Sequence, residues 1–248
     1  MNKILLVTGG SRGIGAATAI LAAQRGYRVA VNYRENAAAA EAVVAQIQQA
    51  GGQAFAVQAD VSREEDVLRL FAHIDAEDGT LVALVNNVGT LETQMRVEDM
   101  TAERINRIFT TNVTGTMLCT REAIKRMSTK HGGTGGAIVN VSSVAALIGS
   151  PNEYVDYAAS KGAVDTFTLG VAREVATEGI RVNGVRPGII YTDIHAQGGE
   201  PNRVDRVKVG VPMQRGGQPE EVASAILWLL SDEASYATAT FIDVAGGR

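Results

Sequence analysis

Tyr157 and Lys161 stand four residues apart in the run Tyr154-Val155-Asp156-Tyr157-Ala158-Ala159-Ser160-Lys161. On a helix that spacing places both side chains on one face, one turn apart. A free phenol ionises near pH ~10 and is a poor base at neutrality, whereas an ammonium beside it favours the phenolate. Such a pair can give a proton to an alkoxide or take one from an alcohol. A lone Tyr-x-x-x-Lys is more often a solvated helix face, but Ala158, Ala159 and Gly162 keep this segment small enough for another molecule to come close. Tyr154, two turns from Lys161, fits the role less well and is expected to line the substrate side. Ser142 and Ser143 follow the apolar run Ala137–Val141, and in an extended chain adjacent side chains point to opposite sides, so only one hydroxyl faces a bound molecule.

A second centre lies near the N-terminus. The apolar run Ile4–Val7 enters Thr8-Gly9-Gly10-Ser11-Arg12-Gly13-Ile14-Gly15 and then a helical pattern. Glycines permit a tight turn and close approach of backbone to a pyrophosphate. The helix start adds free N–H groups and the positive end of the dipole. The spacing is T-G-x-x-x-G-x-G rather than the G-x-G-x-x-G dinucleotide fingerprint.

The elements that must position these groups alternate along the chain. Strand-like runs are Ile4–Val7, Arg28–Asn32, Ala54–Gln58, Leu81–Asn86, Ala137–Val141, Ile180–Val185 and Thr240–Val244. Several are apolar at nearly every residue, as parallel strands covered on both faces require. Helical spacing occupies Ile14–Arg25, Asn36–Ala50, Arg63–Ala76, Thr101–Met127, Tyr154–Thr177 and Pro219–Leu230. The order predicts an α/β chain in one domain, residues 1–248: a doubly wound Rossmann fold with about seven parallel strands and helices on both faces. Ligands bind beyond the carboxyl ends of such strands, where both centres fall. Ser128–Gly136 is expected to be a surface loop, and His195–Pro212 an irregular, lid-like segment.

Taken in order, Thr8-Gly9-x-x-x-Gly13-x-Gly15, Asp60-Val61, Asn86-Asn87-Val88-Gly89, Asn112, Ser143, Tyr157-x-x-x-Lys161, and Pro187-Gly188 followed by Thr192 resemble the short-chain dehydrogenase/reductase family over essentially the whole chain. The likeness is to its glucose-dehydrogenase-like and 3-oxoacyl-carrier-protein-reductase-like members. Val88 stands where the family usually has alanine. The resemblance implies an oxidoreductase moving hydride between a nicotinamide dinucleotide and a carbonyl or alcohol. It makes Gly9, Ser11, Arg12, Gly13, Ile14 and Gly15 the dinucleotide turn, with Asn32, Tyr33 and Arg34 at the end of the second strand. Asp60 and Val61 would flank the adenine, and Asn86, Asn87 and Gly89 would lie along the nucleotide. Past Pro187 and Gly188, the Ile190 backbone and the Thr192 hydroxyl would grip the nicotinamide carboxamide. Ser143 would hydrogen-bond the carbonyl oxygen, Tyr157 transfer the proton, and Lys161 lower the Tyr157 pKa and contact the ribose. Asn112 would kink its helix and hold a water linking Lys161 to solvent.

An NAD site usually places a carboxylate about 20 residues past the glycines. Here the second strand closes on Asn32-Tyr33-Arg34, and Glu35 follows it. Arg12 and Arg34 suit a 2′-phosphate, so NADP(H) is favoured over NAD(H). The competing reading leaves Arg34 in solvent and has Glu35 hold NAD.

Composition narrows the classes. The 248 residues are 46% apolar and 20% charged, enough for a core without disulfides. A net charge of −4 argues against a nucleic-acid partner. The single cysteine, Cys119, is expected to be a buried hydrophobe. No signal-peptide pattern opens the chain, and the apolar cluster Ala225–Leu230 is too short to span a membrane, so a cytoplasmic protein without membrane contact is expected. No His/Cys/Asp set has metal-ligand spacing, and Ser143 lacks a His–Asp partner for acyl transfer. His73 and His131 are expected on the surface, and His195 is a candidate for the substrate pocket. The carrier-protein reductases place a basic residue near the helix before the sixth strand. Glu178 stands there instead, which favours a small carbonyl, sugar or polyol substrate over a 3-oxoacyl thioester. A non-catalytic NADP-binding redox sensor and an isomerase or epimerase using bound NADP transiently stay open. A homo-oligomer, dimer or tetramer, is implied, joined through Thr101–Met127, Tyr154–Thr177 and the strand at Phe241–Val244.

Overall fold

Along the first strand, Leu5 and Val7 bury their side chains on one face of a sheet, and Ile4 and Leu6 on the other. That two-sided burial is what an uninterrupted apolar strand demands. In the computed structural model, which describes residues 2–248, the chain runs β1 (Lys3–Val7), α1 (Gly13–Gln24), β2 (Arg28–Tyr33), α2 (Ala37–Gln49), β3 (Gln53–Gln58), α3 (Glu64–Asp75), β4 (Thr80–Asn86), α4 (Ala102–Phe109), α5 (Gly115–Met127), β5 (Gly136–Val141), α6 (Ala145–Ile148), α7 (Val155–Val175), β6 (Ile180–Pro187), α8 (Ile194–Gln197), α9 (Arg203–Val207), α10 (Pro219–Leu230) and β7 (Phe241–Val244). The seven strands are parallel, in the order β3-β2-β1-β4-β5-β6-β7. The reversal of order between β1 and β4 is the switch point at which a ligand crevice opens.

Two apolar layers sandwich the sheet. Ala19, Ala22 and Ala23 of α1, Val43, Val44 and Ile47 of α2, and Val222, Ile226 and Leu230 of α10 cover one face. Val67, Leu70, Phe71 and Ile74 of α3, Cys119 and Ala123 of α5, and Val171 and Val175 of α7 cover the other. Cys119 is buried, and burial pushes its thiol up to about 12, leaving it inert as a nucleophile. Pro219 opens α10 at a position that needs no N–H, and Glu221 reaches back to accept the Gln218 N–H at 2.8 Å.

The sequence pattern and the structure differ in three places. The expected helix Thr101–Met127 is broken into α4 and α5 by a π-helical segment, Thr110–Thr114, centred on Asn112. The stretch after Thr192 contains α8, α9 and a 3-10 turn at Lys208–Gly210, too short to leave a helical period in the sequence. The single helical turn α6, just past Ser143, left no signal for the same reason.

Beneath the switch point runs a buried polar ladder. Asn86 Nδ2 donates to Thr120 Oγ1 at 2.9 Å and to Asn140 Oδ1 at 2.8 Å, and Asn140 Nδ2 donates to Thr168 Oγ1 at 2.8 Å. It pins β4 and β5 to α5 and α7 with directional bonds that apolar packing cannot supply. Asn86, expected along the nucleotide, therefore belongs to the core, where its amide bonds to Thr120 and Asn140. Asn140→Ala takes one hydrogen bond from each of two buried partners, Asn86 and Thr168, and should cost about 1–3 kcal/mol. A denaturant titration reads this as a lower midpoint at unchanged slope; an unchanged midpoint would show that the ladder contributes nothing.

Candidate active site

The helix α7 begins where β5 ends, and two contacts of Lys161 fix the join. Its ammonium, buried, donates to Val141 O at 2.8 Å, and its own carbonyl accepts the Ser142 hydroxyl at 3.3 Å. Both serines border the cleft, but Ser142 is buried with its hydroxyl spent on Lys161 O, whereas Ser143 stays partly exposed. Tyr157 sits one turn before Lys161, whose Nζ lies 5.7 Å from the centre of the phenol ring.

These groups occupy one end of a cleft of about 540 Å3. Its other end is the glycine turn, bordered by Gly9, Ser11, Arg12, Gly13 and Ile14, with Asn32, Tyr33 and Arg34 at the end of β2 and Asp60 and Val61 past β3. Asn87 and Gly89 past β4, Pro187 at the end of β6, and Gly188, Ile190 and Thr192 past it complete the wall. The cleft thus gathers the carboxyl ends of β1 to β6 at the switch point. Gly13, at φ +53°, lies against Thr192, where a Cβ would come within 3.1 Å of Thr192 Cγ2. A Cβ on Gly89 would stand 3.3 Å from Lys161 Nζ, so the bare backbone there is what leaves room beside the ammonium. The N-cap of α1, Arg12, makes no side-chain cap, and the first turn carries no acid, so its leading N–H groups stay available to an anion.

Three of the expected site residues support the cleft from behind. Gly15 does not border it; a Cβ there would meet Gly9 O at 2.3 Å and Asn87 Nδ2 at 2.6 Å, so Gly15 lets α1 close onto the turn. Asn32 borders it, but its side chain is spent on backbone: Oδ1 accepts from Gly9 N at 3.2 Å and Nδ2 donates to Ala59 O at 3.0 Å. Asn112 is buried behind the wall. Its Oδ1 accepts from Thr90 N at 2.8 Å, and its Nδ2 donates to Thr90 O at 2.9 Å and to Ser160 Oγ at 3.0 Å. The Asn112 backbone carbonyl accepts the Thr116 hydroxyl at 2.9 Å and keeps a second lone pair for a water.

The electrostatics depart from the sequence expectation. Burial holds the Tyr157 hydroxyl above its ordinary value, with the Ser143 hydroxyl and then the Arg203 guanidinium pulling the other way. Burial also drops the Lys161 ammonium to about 8, against the smaller opposing pull of Asp165. Lys161, expected to pull the phenol down, is not among these influences; burial dominates, and a raised phenol stays neutral at neutral pH. Arg34 is exposed and pairs with Glu35 at 2.9 Å, both at the cleft edge.

His195 lies in the wall, buried, with Nε2 donating to Ile190 O at 2.9 Å; burial lowers its pKa. It braces the segment after β6. Tyr154 also lines the cleft and donates its hydroxyl to Gly198 O at 3.2 Å. Two features had no signature in the sequence. One is the lid anchor, in which Arg203 pairs with Glu153 while its Cζ stands 5.0 Å over the Tyr154 ring. The other is the buried pair of Arg104 and Asp156. Among the described residues no cluster of His, Cys, Asp and Glu is arranged to hold a metal ion, and no helix is long and apolar enough to cross a membrane.

Comparison with known proteins agrees with this architecture. Residues 9–248 match the family model described as enoyl-(acyl carrier protein) reductase. An uncharacterized oxidoreductase of Escherichia coli, YgfF, is 67% identical, the match covering 99% of each chain. A 3-oxoacyl-[acyl-carrier-protein] reductase of Synechocystis sp. is 40% identical over 99% of this chain and 96% of its own. The crystal structure of a short-chain type dehydrogenase/reductase from Mycobacterium marinum superposes with a TM-score of 0.92 at 33% identity, covering 99% of this chain and 94% of that one. With its parallel sheet, its glycine turn and its Tyr-x-x-x-Lys helix, the chain belongs to the short-chain dehydrogenase/reductase family of oxidoreductases.

Proposed function

We propose that this oxidoreductase is NADP(H)-dependent and interconverts a carbonyl and an alcohol, with Tyr157 transferring the proton. The observation that carries the reading is a single cleft with Tyr157, Ser143 and Lys161 at one end and an uncapped helix start with Arg12 and Arg34 at the other. A nicotinamide dinucleotide bound along it supplies or accepts the hydride. The bare backbone of Gly9, Gly13 and Gly89 and the free N–H groups of α1 fit its pyrophosphate and ribose, and Asp60 and Val61 fit the adenine. Ile190 and Thr192 would hold the carboxamide. Holding donor and acceptor in contact removes much of the entropic cost of the reaction.

The resting protonation of Tyr157 suits reduction. A neutral phenol gives its proton to the carbonyl oxygen as negative charge develops there. Ser143 orients that oxygen by hydrogen bonding, and Lys161, the ammonium beside the ring, favours the phenolate left behind. Asn112, through its backbone carbonyl, supports the water that returns a proton. Arg34 and Arg12, with no carboxylate at the end of β2, favour the 2′-phosphate; the Arg34–Glu35 pair is exposed and so costs little to exchange for it.

The substrate reading is a small carbonyl, sugar or polyol. Glu178 accepts the Ser128 hydroxyl before β6 and puts an acid where a carrier-protein reductase would present a base. The carrier-protein reductases among the relatives favour 3-oxoacyl thioesters as the second reading. Ile105 and Met117, exposed apolar side chains on α4 and α5, support self-association as a dimer or tetramer, and a cytoplasmic location completes the proposal.

Four measurements test it. Tyr157→Phe should lower the turnover of carbonyl reduction by about 10²–10⁴-fold while NADPH binding, read by fluorescence, is kept. In the wild type, reduction should hold at neutral pH and fall as pH rises through about 8, where Lys161 loses its charge, and further as the phenol ionises. Full activity in Tyr157→Phe would remove the proton-transfer role. Arg34→Ala should weaken NADPH binding by about tenfold or more, the worth of one charge-assisted hydrogen bond, with NADH unaffected; equal losses for both would refute the phosphate assignment. Ser143→Ala should cost on the order of 10²-fold in turnover, as loss of an oxyanion donor does, and Ser142→Ala far less; similar losses would overturn the choice between them.

A further inference from the structure

Arg104 lies on α4 and Asp156 on the first turn of α7, and their side chains are only 5% and 2% exposed. Arg104 Nε donates to Asp156 Oδ2 at 2.7 Å, and its Nη2 approaches Asp156 Oδ1 at 3.4 Å. The remaining donor, Nη1, reaches Thr93 O at 2.6 Å. Asp156 Oδ1 also accepts the backbone N–H of Tyr157 at 2.9 Å. One guanidinium therefore joins three pieces: α4, the loop after β4, and the peptide that carries the proposed proton-transfer group.

That loop contributes to the cleft wall. Within it Thr90 is held at both backbone atoms by Asn112, and Met95 N donates to Glu153 O at 3.0 Å. Thr90 and Leu91 face the cleft. The Arg104–Asp156 pair closes the span between these two anchors. Burying two charges is expensive, and an apolar pair of similar volume would serve stability as well or better. Core stability alone therefore does not account for an ion pair at this place. What an apolar pair cannot do is fix direction: it has no acceptor for the Tyr157 N–H and no donor for Thr93 O.

We propose that Arg104 and Asp156 are positioning residues, a clamp that fixes the Tyr157 phenol relative to the Thr90–Met95 wall and so sets the geometry of proton transfer to the substrate oxygen. The proposal rests on Tyr157 being the proton-transfer group. The clamp touches none of the residues at the glycine-turn end of the cleft, so its loss should act on turnover and leave dinucleotide binding alone.

The test is the double variant Arg104→Met with Asp156→Leu, which removes both charges together and leaves no buried ion unpaired. Its thermal midpoint should stay within a few degrees of the wild type, because removing two buried charges offsets the partners lost by the Tyr157 N–H and Thr93 O. Turnover of carbonyl reduction should fall between about 10- and 100-fold, as small misplacements of a reacting group do, with KM for NADPH within about twofold. The high-pH limb of the turnover profile should shift, because the phenol's surroundings change. Glu122→Gln, at a buried carboxylate on α5 held by Arg121, Lys125 and Arg126 far from the cleft, is the control: its midpoint should drop while its turnover stays. Wild-type turnover and an unmoved pH limb in a folded double variant would overturn the clamp. If the double variant does not fold, Asp156→Asn, which keeps an acceptor for the Tyr157 N–H, gives the second reading. Turnover reduced by less than the double's expected range supports the clamp, and wild-type turnover with a wild-type pH limb overturns it. Tyr157→Phe in the same assay separates the two ideas: if it is fully active, the catalytic reading falls, and if it loses its turnover while the clamp variants keep wild-type turnover and a wild-type pH limb, the clamp alone falls.

Discussion

The hydrogen bond from the Lys161 ammonium to Val141 O is the contact on which the geometry of the cleft depends. It joins the first turns of α7 to the last residue of β5, and so places a helix-borne phenol beside a strand-borne hydroxyl. A charged group in that interior is costly, which is why burial lowers the hold of Lys161 on its proton. The same dryness raises the phenol. Both shifts come from one cause, and they leave the pair in the protonation state from which an acid can act.

Around that contact the protein spends its asparagines on internal ties. Asn32 ties the glycine turn to the end of β3, Asn112 ties the π-helical segment to the loop after β4, and Asn140 ties β5 to α7 through the Thr168 hydroxyl. Asn32 and Asn112 satisfy backbone groups left open beyond the carboxyl ends of parallel strands. Side-chain amides serve there because they offer donor and acceptor together without a charge to desolvate. The cleft floor is thereby held by buried directional bonds, whereas the short helices past β6 also rely on the half-exposed Arg206 ion pairs, contacts of a weaker kind.

The fold was legible because parallel strands and amphipathic helices write their periods directly into the chain. The seven strands fall within a residue or so of their expected bounds, and the residues at the strand ends converge as the glycine turn and Tyr157-x-x-x-Lys161 implied. What escaped has a physical reason. Arg104 and Asp156 are far apart in sequence and meet only through the packing of α4 on α7, so no spacing rule could join them. Asn86 and Gly15 carry the marks of a nucleotide site but turn away from it, since residue type does not reveal which face a side chain takes at a strand end or helix start. The pKa of Tyr157 depends on how much water the folded chain excludes, a property of the packed interior.

The closeness of Gly13 to Thr192 has a bearing on how the chain is made. The turn belongs to the first crossover, but the residue that closes it comes after the sixth strand. A nascent polypeptide emerging from the ribosome completes the N-terminal half of the sheet, with its anion-accepting helix start, well before the segment that would trap a bound molecule is synthesised. The contact between the turn and Thr192 is consequently a late event in biogenesis.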